Sequence, residues 1–212
     1  MKYHTFYFNP IRECTFVVWD ESRSCIVIDP GCATQREFSR LEQFIEENSL
    51  VPCKILLTHA HFDHIMGVEL FRRRYGTEVC MHSEEECQLR MADVMASFAD
   101  CTVEVPEPPF TFIGHGEKIH FGNSALEAIW TPGHTAGGLC YYSADDALLF
   151  CGDTMFEGGI GRTDLPTGNY ETLLESIRSR ILTLPDETTL LPGHGYPTTI
   201  GRERASNPFL AN

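Results

Sequence analysis

Three histidines and an aspartate fall within six positions in Thr58-His59-Ala60-His61-Phe62-Asp63-His64, a density of donor side chains that is hard to explain without a metal ion. Neutral imidazole nitrogens and carboxylate oxygens suit zinc, iron or manganese, so this segment alone could serve more than one ion. The bland alternative is a solvated polar loop, but such a loop rarely follows a short apolar run as directly as this one follows residues 54–58. Three more donors each come straight after a strand-like run and beside glycine, where the backbone can turn tightly: His134 in TPGHTAGG, Asp153 in FCGDTMF and His194 in LPGHGYP. Singly, each reads as a turn or helix cap. Together, in this order, they make a specific pattern.

The elements that present these side chains follow from patterning. Residues 5–9, 15–20 and 24–29 are rich in β-branched and aromatic types between turn-forming breaks, which predicts three strands, the last ending in Asp29-Pro30-Gly31. Thr34 and Glu37 have capping-box spacing, and Phe38, Leu41, Phe44 and Ile45 recur at helical intervals, predicting a helix to about Asn48. A strand over 54–58, a helix over 66–75 and a strand over 77–82 come next, and Ser83 with Glu86 repeats the capping signature before a further helix. Strands are then expected over 110–113, 118–121, 125–130, 139–143 and 147–151, a helix over 170–182 and a last strand over 189–191. The order suggests two sheets, each covered by helices, packed face to face.

Composition narrows the function classes. At 212 residues the chain is expected to form one compact domain, residues 1–212, and no apolar run approaches the ~20 residues that cross a bilayer. The first residues lack the apolar stretch and cleavage site of a secretory signal, so a cytoplasmic location is expected. Nine cysteines, an odd number with no C-x-x-C pair, point the same way, to reduced thiols that act as small buried hydrophobes. A formal charge of -14 repels polyanions, which disfavours nucleic acid as a partner. His4, His82, His115 and His120 are expected to be ordinary surface or turn histidines.

The H-x-H-x-D-H pattern at His59, His61, Asp63 and His64, followed by His134, Asp153 and His194, resembles the metallo-β-lactamase superfamily over nearly the whole chain. The resemblance implies an α/β fold, a four-layer αβ/βα sandwich with the site at one edge between the sheets. It implies two divalent ions, zinc by preference, with iron or manganese as alternatives. His59, His61 and His134 would hold the first, Asp63, His64 and His194 the second, and Asp153 would bridge both. Asp29 matches a family acid that orients ligands rather than binding metal.

Within the superfamily, the run from Gly159 to Pro166 and residues 203–210 look like those of short glyoxalase II-like hydrolases. That likeness implies hydrolysis of a small-molecule thioester or related acyl ester by hydroxide held between the ions, with Asp63 binding the second ion and aiming the hydroxide. Full-length glyoxalase II carries a further helical domain that grips glutathione, and this sequence runs only to residue 212, so the expectation does not extend to glutathione. Arg162 is the best candidate for a substrate-binding cation, against a plain salt bridge to Asp164. The runner-up activity is a persulfide dioxygenase using one iron on His59, His134 and Asp153. The Pro-Gly-His-Gly around His194 favours the hydrolase. A diiron electron-transfer module or a nuclease on the same fold ranks lower, for want of a flavin domain or a basic surface.

Overall fold

Side chains alternate between the two faces of a strand, so each apolar strand must find cover on both sides. The computed structural model describes residues 1–210 and shows what provides that cover. One six-stranded sheet runs in the order β1 (Lys2–Phe8), β2 (Glu13–Trp19), β3 (Ser24–Ile28), β4 (Val51–Leu56), β5 (Glu78–Met81), β6 (Thr111–Phe112). A second begins at β7 (Lys118–Phe121) and continues through β8 (Ser124–Trp130), β9 (Leu139–Ser143), β10 (Leu148–Gly152), β13 (Thr189–Pro192) and β14 (Thr198–Thr199). A small hairpin, β11 (Met155–Phe156) and β12 (Gly159–Ile160), stands apart.

Strand parity sorts the core into three layers. Phe16, Val18, Ile26, Ile28 and Leu56 of the first sheet meet Leu126, Ala128, Tyr141, Phe150 and Leu191 of the second. The alternate residues Val17, Val27, Ile55 and Val79 turn outward onto Phe38, Leu41 and Ile45 of α1 (Gln35–Glu47) and Phe71 of α3 (Val68–Tyr75). Ile129, Cys140, Leu149 and Leu190 face Leu173 of α6 (Tyr170–Ser176), Ile177 and Ile181 of the π-helical turn after it, and Ile200 of α7 (Ile200–Ser206). Helix, sheet, sheet, helix is the four-layer αβ/βα sandwich. No helix among the described residues is long and apolar enough to cross a membrane.

Most predicted elements are present, and the differences have local causes. The Thr34 and Glu37 capping box forms in full. The helix expected from residue 66 begins at Val68, after the short α2 (Phe62–Ile65), because the Gly67 N–H is drawn off to the Pro30 carbonyl at 2.7 Å. Ser83 does not cap the next helix: the His82 Nδ1 accepts from the Glu84 N–H at 3.2 Å instead, opening a 3-10 turn that runs into α4 (Glu86–Leu89) and then α5 (Ala92–Phe98). His82 is thus a cap, and it also stacks on Trp130 at 5.2 Å. His4 stacks on Phe44 at 4.4 Å rather than standing free. All nine cysteines are unpaired thiols, six of them buried, and burial raises Cys14 and Cys25 to about 12.

Tyr141 ties the sheets together where the donor-rich loop begins. Its ring is fully buried between them and its hydroxyl donates to the Leu57 carbonyl at 2.7 Å. Exchange of Tyr141 for Phe removes this bond and nothing else, so a loss of about 1 kcal/mol is expected. Urea unfolding followed by circular dichroism measures it, and an unchanged midpoint would show that the bond contributes nothing.

Candidate metal centre

Topology gathers the donors before any side chain is considered. β3 and β4 are parallel, β10 and β13 are parallel, and β8 shares their direction because β9 runs antiparallel to both β8 and β10. Asp29, His59, His134, Asp153 and His194 all follow the C-terminal ends of these strands, at one edge of the sandwich. Backbone bonds then sew the edge shut: Leu139 N–H to the Thr58 carbonyl at 2.8 Å, Cys14 N–H to the Gly193 carbonyl at 2.7 Å, and Gly193 N–H to the Gly152 carbonyl at 2.8 Å. A Cβ on Gly193 would lie 2.4 Å from Asp153 Oδ1 and 2.7 Å from His64 Cε1, so only glycine allows this loop so close to the donors. Gly152 sits at φ 48°, and a Cβ there would meet Thr58 Oγ1 at 2.3 Å.

All seven donors named from the sequence converge, in two triads. His134 Nε2 lies 3.3 Å from His59 Nε2 and 3.0 Å from His61 Nδ1. Asp63 Oδ2 lies 3.0 Å from His194 Nε2 and 3.4 Å from His64 Nε2. Asp153 faces both: its Oδ2 is 3.7 Å from His134 Nε2 and 3.8 Å from His194 Nε2, and its Oδ1 is 3.7 Å from His64 Nε2.

Hydrogen bonds behind the imidazoles fix which nitrogen faces the centre. The Thr58 hydroxyl donates to Asp29 Oδ2 at 2.5 Å, so at 3.0 Å from His59 Nδ1 it can only accept. His59 therefore carries its proton on Nδ1 and turns a bare Nε2 inward. His134 donates from Nδ1 to the Arg162 carbonyl at 2.8 Å, which leaves its Nε2 bare as well. His64 donates from Nδ1 to Asp29 Oδ2 at 3.0 Å. Asp29 also accepts the Thr58 N–H at 2.7 Å, so it is committed to orienting other groups although it lies within ligand distance of His59 and His64.

Two bare lone pairs 3.3 Å apart repel unless a cation lies between them. Tetrahedral zinc with Zn–N bonds of about 2.0–2.1 Å separates its ligands by roughly 3.3 Å, which is the spacing found here. The buried His64 Nε2 and Asp153 Oδ1 also have no hydrogen-bond partner among the described residues. The donor set thus fits divalent cations.

The two triads differ in charge. Burial, reinforced by the neighbouring histidines, holds His59 and His61 well below the usual imidazole range, and burial lowers His134 too. Burial alone would also lower His64, but Asp63, the bond to Asp29 and Asp153 reverse this and lift it well above the ordinary value. His194 is raised likewise, against burial, by Asp63 and Asp153. Asp63 is depressed despite its burial, because His64 and His194 stabilise its anion.

Two carboxylates that the sequence reading did not single out are buried beside the centre. Glu85 accepts from the backbone of both ligand loops, and burial pushes it up to about 6. Glu13 is fully buried against Thr15, and burial raises it strongly. Both stand in segments that read as ordinary strand edge or acidic helix start, so only the three-dimensional packing reveals them. The Arg162 guanidinium forms a paired contact with Asp164, at 2.8 Å through each of Nε and Nη2, in the open. Its carbonyl, not its side chain, is what touches the centre.

Fold and site together define a metal-binding αβ/βα sandwich protein. The chain belongs to the Metallo-beta-lactamase superfamily, whose sequence profile matches residues 12–194. It is 40% identical to the probable metallo-hydrolase YqgX of Bacillus subtilis, over 99% of this chain and 98% of that one. It is 37% identical to the hydroxyacylglutathione hydrolase GloC of Haemophilus influenzae, over 92% and 91%. A crystal structure of TTHA1623 in a di-iron-bound form superposes with a TM-score of 0.89 at 33% identity, covering 98% of this chain and all of that one.

Because His64 and His194 favour their protonated forms, a cation entering their triad must displace protons, whereas the neutral three-histidine set has none to give. At pH 7 the Asp63, His64 and His194 set should release about one proton or more per ion and should bind more tightly as pH rises. Calorimetry in buffers of different ionisation enthalpy counts the protons, and equal release from both binding events would contradict the assignment.

Proposed function

We propose that this protein is a binuclear metal-dependent hydrolase that cleaves a small-molecule thioester or related acyl ester. Membership of a superfamily of metallo-hydrolases gives the coarse reading, a metal-dependent hydrolase. The observation that carries the finer one is Asp153, a single carboxylate whose two oxygens reach toward both triads. A di-iron relative on the same fold supports a pair of ions, and the likeness to a hydroxyacylglutathione hydrolase supports a thioester. The charge of -14 supports a small molecule over nucleic acid.

When bound, two divalent ions, with zinc as the first choice, supply a nucleophilic hydroxide at neutral pH and Lewis-acid polarisation of the scissile carbonyl. The chain does the positioning. His59, His61 and His134 form one cradle and Asp63, His64 and His194 the other, with Asp153 between them. Asp63 would engage an ion through Oδ2, the oxygen nearest His64 and His194, leaving Oδ1 to accept a hydrogen bond that aims the attacking group. Asp29 holds His64 directly and His59 through Thr58, so neither ring turns as charge develops. Arg162 stands on the rim, where its guanidinium can exchange Asp164 for an anionic group of the substrate.

Elemental analysis of the isolated protein, paired with hydrolysis of lactoyl thioesters that differ in their thiol, tests the proposal. Two ions per chain and measurable hydrolysis are expected. One iron per chain with persulfide-dependent oxygen uptake would replace the hydrolase with a dioxygenase. Because the Arg162 and Asp164 pair is solvent-exposed and such pairs contribute little to stability, exchange of Arg162 for Ala should leave the melting temperature unchanged. It should raise KM several-fold with kcat retained, and loss of folded protein would instead give Arg162 a structural role.

A further inference from the structure

A single buried carboxylate joins the two loops that carry the three-histidine triad. Glu85 ends the 3-10 turn Ser83–Glu85 and is fully buried. Its Oε2 accepts the Ala60 N–H at 2.7 Å, and Ala60 lies between His59 and His61. Its Oε1 accepts the Gly137 N–H at 2.9 Å, three residues beyond His134. A Cβ on Gly137 would come within 2.9 Å of Glu85 Cγ, so the loop is built to seat this side chain. One helical turn on, Gln88 donates to the Pro166 carbonyl at 2.7 Å and the Thr167 hydroxyl at 2.8 Å, and that hydroxyl accepts the Ala136 N–H at 3.2 Å.

We infer that Glu85 is a positioning residue for the three-histidine site, setting the separation of the His59–His61 loop from the His134 loop by bridging their backbones. Hydrogen bonds to an ionised acceptor are roughly twice as strong as neutral ones, so this bridge reinforces the backbone bond between those loops, Leu139 N–H to the Thr58 carbonyl. Asp29 steadies one donor of each triad, His59 through Thr58 and His64 directly. The loop of His194 is held by the Cys14 N–H on the Gly193 carbonyl and, among the described residues, has no bond to Glu85. Glu85 therefore bears most directly on the three-histidine site, both of whose loops it joins, and touches only one of the two loops that carry the other set. A glutamine there keeps the volume but sets its NH2 against one of the two N–H groups, which opens the bridge on one side.

The inference rests on the two-ion reading, and the test separates the two. Cobalt(II) binding is followed by visible absorption against a competing chelator in a His194→Ala background, where the three-histidine set stands alone. Adding Glu85→Gln should weaken binding there by about ten- to a hundred-fold, the range for groups that orient ligands. In a His134→Ala background, which leaves the other set, the same exchange should change affinity less than about twofold. A change under twofold in the first background, or equal losses in both, would overturn the role. Circular dichroism of the metal-free proteins checks the fold. If Glu85→Gln does not fold, Glu85→Asp, which keeps the charge but is one methylene short, is compared in the same way with the same outcomes. A wild-type protein that takes up only one cobalt would end the two-ion reading and leave the Glu85 comparison decisive.

Discussion

Bare imidazole nitrogens of His59 and His134 held 3.3 Å apart, out of water, are the condition on which the rest of this molecule depends. Such an arrangement is unfavourable by itself, since lone pairs repel and burial removes the solvent that would screen them. The sandwich supplies the restraint. Donors follow the ends of five strands that cannot separate, and the loops between those ends are pinned by backbone bonds and by glycines that no larger residue can replace. The strain belongs to the site and its cost is met by three well-packed apolar layers.

Asp29 gives the two triads a common reference. Through the Thr58 hydroxyl it sets the tautomer of His59, and directly it sets that of His64, so one carboxylate orients a donor in each set. It does so from a left-handed backbone, φ 48°, at the turn closing β3. The triads are therefore mechanically linked although they differ in charge, one neutral and the other an acid among histidines that favour their protons. A carboxylate set between them, Asp153, completes an arrangement in which each group constrains more than one neighbour.

Much of this was legible in the sequence because it is written in local spacing. The H-x-H-x-D-H run marks a strand end turning into a short helix, and His134, Asp153 and His194 each follow apolar strands whose parity predicts two covered sheets. Thr34 and Glu37 are close in sequence and cap as expected. What the sequence hid depends on partners far along the chain. Glu85 stands in an acidic run that reads as a solvated helix start, and only the approach of Ala60 and Gly137, 25 and 52 residues away, makes it a bridge. Ser83 does not cap because the turn opens one residue earlier, at His82, whose imidazole, stacked on Trp130, accepts the Glu84 N–H while the Glu85 and Glu86 N–H groups go to backbone carbonyls. Likewise, the residue type of Arg162 points to its guanidinium, while its backbone carbonyl is what steadies His134.

Each triad draws two donors from the first half of the chain and one from the second, with 73 residues separating His61 from His134. An ion seated in either would act as a removable cross-link between halves, closing a large loop much as a disulfide does in proteins exposed to oxidants. In a chain with nine unpaired thiols, such clasps would let resistance to unfolding follow the supply of metal rather than the redox state of its surroundings.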